Sequence, residues 1–99
     1  MNSEMYISIK TFCKINRVDE SFVQVLNEYD ILTIEKQNKE AVVALEALPI
    51  LEKMVRLHKE LDINPEGLHA IHQLLQQIYT LEQEVELLQR KLRNLDFYR

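Results

Sequence analysis

The chain has 99 residues, a net charge of −4, 46% hydrophobic and 28% charged side chains, and a single cysteine. That length suits one domain, the anionic balance argues against general affinity for nucleic acid or anionic membrane, and one cysteine makes no internal disulfide. One glycine and two prolines leave few turns, so the elements should be few and mostly helical. No apolar run reaches the ~20 residues needed to span a bilayer. Met1-Asn2-Ser3-Glu4 lacks the basic and apolar regions of a secretory signal, so the sequence predicts a cytoplasmic protein.

Met5 to Ile7 is short and apolar enough to pack against a head domain. Ser8 suits the cap of a first helix with Ile9, Phe12 and Cys13 on one face. Cys13 reads as a small buried hydrophobe, because no His or acid lies at local helical spacing to make it a thiolate. Asn16-Arg17-Val18 forms a turn. Asp19 is then placed to cap a second helix, with Val18 and Val23 as a hydrophobic staple. Phe22, Val25, Leu26 and Tyr29 follow at i, i+3, i+4 and i+7 and give that helix one apolar stripe. Two short helices joined by a tight turn make a helix-turn-helix, whose second helix normally enters the major groove.

Charge argues against that use here. Between Asp19 and Asp30 stand Asp19, Glu20, Glu28 and Asp30, with no lysine or arginine. Phosphates are repelled by such a surface, and the usual guanine readers are missing. Gln24 and Asn27 have the chemistry to read adenine, but nothing on the helix would hold it to the backbone. The four acids suit a solvated face or, more sharply, a surface that receives a basic partner.

Ile34-Glu35-Lys36 and Ala41-Val42-Val43 flank a polar middle, Gln37 to Glu40, and predict a β-hairpin wing with its turn near Asn38. A third helix is expected over Leu45 to Leu61, with Leu48, Leu51, Met54, Val55, His58 and Leu61 on one face and Pro49 in the first turn. Glu52, Arg56 and Glu60 should form a solvent-side ladder, and acidic neighbours dilute a phosphate stripe at Lys53, Arg56 and Lys59. His58 is expected to pack by its ring edge. Asn64, Pro65 and Glu66 mark the next start: a cap, a proline at the first helical position and an acid at the positive end of the dipole.

From there Ile71, Leu74, Ile78, Leu81, Val85, Leu88, Leu92 and Leu95 recur in alternating steps of three and four. This is one seam on a helix roughly 45 Å long, and its β-branched and leucine positions suit a two-stranded homodimer. The flanking charges leave strand direction open. His69 and His72 sit opposite the seam, where a solvated face is preferred to a metal site because further ligands at suitable spacing are missing. Phe97, Tyr98 and Arg99 make a short tail that either tucks against a partner or frays. The expected division is a head over residues 1–62, a dimerisation helix over 63–96 and a tail over 97–99. With no glycine-rich phosphate loop, no Ser-His-Asp pattern and no histidine-acid cluster, neither catalysis nor a cofactor or metal is expected.

The order helix, turn, helix, wing, helix, long helix resembles the MerR-type DNA-binding domain, with the basic recognition helix replaced. The chain is more similar to the CbpM-type chaperone modulators, which look like shortened MerR heads. The residues carrying this likeness are Ile9-Lys10-Thr11-Phe12-Cys13, Asp19-Glu20-Ser21-Phe22, Val55-Arg56-Leu57, Glu60-Leu61 and Gly67-Leu68, running into the leucine-rich helix. Gln37 to Glu40 and Asn64-Pro65-Glu66 depart from it. The resemblance implies a mainly α fold, a MerR-like winged helix-turn-helix with a small hairpin wing and a long C-terminal coiled-coil helix. It also implies binding to the J-domain of a DnaJ-like co-chaperone, of the CbpA type, which blocks that domain's use by Hsp70. Since J-domains meet Hsp70 through a basic helix, Glu20, Glu28 and Asp30 around Tyr29 become the expected binding face, with Glu46 and Glu52 in reserve. The alternative is a MerR-family transcriptional regulator that binds DNA.

Overall fold

The computed structural model describes residues 5–97, with side chains through residue 95. Met1 to Glu4 and the tail residues Tyr98 and Arg99 lie outside the described residues, as do the side chains of Asp96 and Phe97. In order, the elements are β1 (Tyr6–Ser8), α1 (Ile9–Asn16), α2 (Glu20–Glu28), β2 (Glu35–Gln37), β3 (Glu40–Ala44), a 3-10 turn (Leu45–Ala47), α3 (Leu48–Leu61) and α4 (Pro65–Phe97). This is the mainly helical, winged arrangement expected from the sequence.

Local chemistry sets most of the boundaries. Ser8 has extended backbone, and its Oγ accepts from the Thr11 N–H at 3.2 Å, capping α1. The same hydroxyl donates to the Glu40 carboxylate at 2.7 Å, which ties the cap to the start of β3. At the other end of α1, Arg17 is left-handed (φ 56°), and its N–H closes on the Cys13 carbonyl. Asp19 occupies the cap position of α2 but makes no side-chain capping bond. The Phe22 N–H donates instead to the Asp19 backbone carbonyl at 3.0 Å, so the tightened first turn takes the donor that the carboxylate would have received.

The wing is a three-stranded antiparallel sheet in the order β1-β3-β2, not an isolated hairpin. Ile7 pairs with Val43, and Lys36 with Ala41. Residues 6–8 are too few for a period-2 pattern to distinguish a strand from a packed segment. Ile7 packs against the core, whereas Met5 is 67% exposed, so that part of the expected packing fails. Ile34 falls just outside β2. The turn is Asn38-Lys39, with φ of 52° and 67°. Two successive positive φ values are what the tight hairpin turn demands, and asparagine tolerates them better than most residues do.

The third helical segment opens as a 3-10 turn and becomes α-helical at Leu48, with Pro49 in the first turn as expected. Leu51, Met54 and Val55 are buried. Leu61 is exposed, because Asp62 ends the helix in a left-handed conformation before another turn can cover it. Glu52, Arg56 and Glu60 all face water.

Residues up to His69 form one compact unit and those from Ala70 a second, so the division falls inside α4. Asn64 Oδ1 accepts from the Gly67 N–H at 2.8 Å, confirming the cap, and Leu68 one turn in is fully buried. A methyl group on Gly67 would approach Ile63 Cγ2 to 2.7 Å and Asn64 Oδ1 to 3.2 Å, so glycine is needed here for close approach. The first unit's core joins Ile9 and Phe12 of α1, Val23 and Leu26 of α2, Val43 of β3, Leu51 and Met54 of α3, and Leu68 of α4. In the second unit, Leu74, Ile78, Leu81, Val85, Leu88, Leu92 and Leu95 are all at least half exposed. No helix among the described residues is long and apolar enough to cross a membrane.

Candidate partner-binding surface

The carboxylates of α2 and its flanks are carried outward by the burial of its other side, which is centred on Val23 as well as on Phe22 and Leu26 of the expected stripe and leaves Val25 and Tyr29 half-buried. Phe22, Val23 and Leu26 are buried, and this turns Glu20, Gln24 and Glu28 to the opposite side. Asp19 and Asp30, at the two ends, are exposed as well. Asp30 is held left-handed (φ 60°), with its N–H on the Asn27 carbonyl at 3.0 Å. The Ile31 N–H on the Leu26 carbonyl at 2.9 Å then sends the chain back into the core. The structure therefore brings Glu28, Tyr29 and Asp30 together at the C-terminal end, with Glu20 about two helical turns away.

Tyr29 is not a free anchor. It is half-buried, and its ring stacks on His69 with centroids 4.5 Å apart and planes 15° from parallel. His69 is thus a packing partner of the acidic face, linking the end of α2 to the second turn of α4. Helical periodicity gave no sign of this, because the two residues meet only through tertiary packing forty positions apart. His58 also uses its ring face, stacking on Phe22 at 4.7 Å and 28°, where an edge contact was expected. The reason is a bond that fixes the ring plane: Nδ1 donates to the Ile63 carbonyl at 2.8 Å. Among the described residues no group of three or more His, Cys, Asp or Glu is placed to hold a metal ion.

Of the two amides able to read adenine, Asn27 is already engaged. Its Oδ1 accepts from the Ile34 N–H at 3.0 Å and positions the approach to β2. Gln24 alone remains exposed. Cys13 is buried, as expected. Burial first, then the negative fields of Glu20 and Asp19, push its thiol above the ordinary value of 9.0. The reserve acids, Glu46 in the 3-10 turn and Glu52 on α3, are both exposed.

A family model described as MerR HTH family regulatory protein matches residues 7–90, running from β1 into the long helix. The chain belongs to the MerR helix-turn-helix family. Comparison with curated proteins found no match. In helix-turn-helix proteins the N-terminal residues of the second helix approach base edges. In this MerR-family chain those positions hold Asp19, Glu20 and Ser21, and the first two oppose a polyanion.

Proposed function

We propose that this MerR-family chain is a non-enzymatic regulator that acts by binding a basic polypeptide. Following the CbpM-type resemblance, the partner is the J-domain of a DnaJ-like co-chaperone, and binding blocks its use by Hsp70. The observation that carries this reading is the sign of α2: four exposed carboxylates at Asp19, Glu20, Glu28 and Asp30, and no cation from Asp19 to Asp30. A cationic helix fits that face, and a duplex does not. The contact is assigned to Glu20, Glu28, Asp30 and the half-buried Tyr29. The seam from Ile71 to Leu95 is assigned to a homodimer, since the half-exposed leucines, Ile78 and Val85 of the second unit have no other apolar cover among the described residues. The setting is the cytoplasm.

The test is titration of a J-domain into the full chain and into Glu28→Lys and Asp30→Lys variants. Each reversal removes an attraction and adds a repulsion at an exposed site, so each should weaken binding about tenfold and leave self-association unchanged. Identical titration curves for all three proteins would remove this face. The second reading, a DNA-binding MerR regulator, is favoured by the family match itself. A mobility-shift assay separates the two, because tight operator binding that falls steeply with salt would select DNA.

A further inference from the structure

The helix preceding α2 carries the opposite sign. Lys10, Lys14 and Arg17 are spaced i, i+4, i+7, all are exposed, and α1 contains no acid. Lys10 and Lys14 form a cationic line on one face of α1, and Arg17, left-handed just past the helix end, stands next in the chain as a third cation. Among the described residues none of the three closes an ion pair with a carboxylate. Lys59 of α3 donates its ammonium to the Asn16 carbonyl, which fixes a fourth cation at the end of this line. Ile15, also on α1, is 73% exposed.

The line ends at a concavity. Arg17 and Lys59 border a groove of about 540 Å³, and Val18, Phe22, Val25 and Pro65 supply apolar lining. Asp19 and Asp62 border it too, so the groove is not cationic in itself. Selection for charge must come from Lys10 and Lys14 outside it.

We infer that the exposed side of α1 and this groove form a second docking surface, which takes an acidic segment of another protein with an apolar side chain set among its carboxylates. The carboxylates pair with Lys10, Lys14 and Arg17, and the apolar side chain enters the groove. A nucleic acid fits less well. It offers phosphates to the lysines but no aliphatic group to the groove, and a long polyanion following α1 meets Asp19 and Glu20 within three residues of Arg17. A short acidic segment sets its carboxylates on Lys10, Lys14 and Arg17 and brings only its apolar side chain beside Asp19. The surface shares no residue with the J-domain contact at Glu20, Glu28, Tyr29 and Asp30, and it stands whether or not that contact is correct. With both in place the head can join a basic and an acidic partner at once.

The experiment uses the full chain and a labelled synthetic helical peptide with glutamates at i, i+4 and i+7 around one leucine, followed by fluorescence anisotropy at low and physiological salt. The peptide should bind. Lys10→Glu/Lys14→Glu should weaken it about tenfold or more, and so should replacing the peptide leucine by serine. Glu28→Lys should leave it unchanged. Circular dichroism checks the fold, and Lys10→Gln/Lys14→Gln removes the charges without reversing them should the first variant unfold. Peptide binding that survives either double variant would overturn the inference. So would equal binding of a lysine-for-glutamate peptide, or tighter binding of duplex DNA or anionic vesicles lost in the same variants.

Discussion

The seam on α4 gives the prediction with the best-defined magnitude. Leu81 lies at its centre and is 57% exposed in the single chain. Full burial of a leucine contributes ~1.5–3 kcal/mol, so covering the exposed part contributes about 1 to 1.5 kcal/mol per copy, or about 2–3 kcal/mol for a pair. At about 1.4 kcal/mol per tenfold, removing this contribution with Leu81→Asp raises the dimer dissociation constant about 30- to 140-fold. Burying a carboxylate among the apolar side chains of the seam raises it further, whichever way the helices run. Gln83→Asp places the same charge at an exposed position outside the seam and should change nothing. Sedimentation equilibrium across a range of concentrations reads the constants. Circular dichroism adds a second reading, because most helical stability comes from packing of the apolar face, so α4 should lose helicity as the dimer dissociates. A Leu81→Asp protein that associates like the parent, or a parent that stays monomeric, refutes the assignment of this face to a second copy.

Three further outcomes follow from the first unit. Met54 is fully buried, so Met54→Ala should cost ~2–5 kcal/mol in urea unfolding. Gly67→Ala should destabilise by about 1 kcal/mol, because the new methyl group displaces Ile63 and the Asn64 cap by more than alanine's helix preference returns; a gain in stability would show that propensity wins. Cys13, an acid with a folded pKa raised above 9.0, keeps its proton longer when folded. Its contribution is therefore complete below about pH 9 and is lost as pH rises beyond it. Alkylation at pH 8 should be much slower in the native protein than in denaturant, and Cys13→Ala should flatten the alkaline loss of stability.

The local features were legible in the order of residues alone. Helix starts at Ser8 and Asn64 follow from side chains that reach their own backbone three residues on, and the buried faces of α1 to α3 follow from a 3.6-residue period within one element. The sign of α2 was legible for the same reason, since its acids sit in one short run. The wing hairpin was legible as two apolar runs about a polar turn. What pairs distant segments was not legible. β1 became a strand only because Val42 to Ala44 supply its hydrogen bonds, three residues being too few to show a period. Tyr29, placed by its spacing on the apolar stripe of α2, stacks its ring on His69 from another helix, and His58 turned its face to Phe22 because the Ile63 carbonyl holds its nitrogen. The groove beside Arg17 likewise draws its walls from three helices and the turns between them. Sequence spacing encodes which side of an element is apolar, whereas the contacts that align two elements depend on packing that no single period contains.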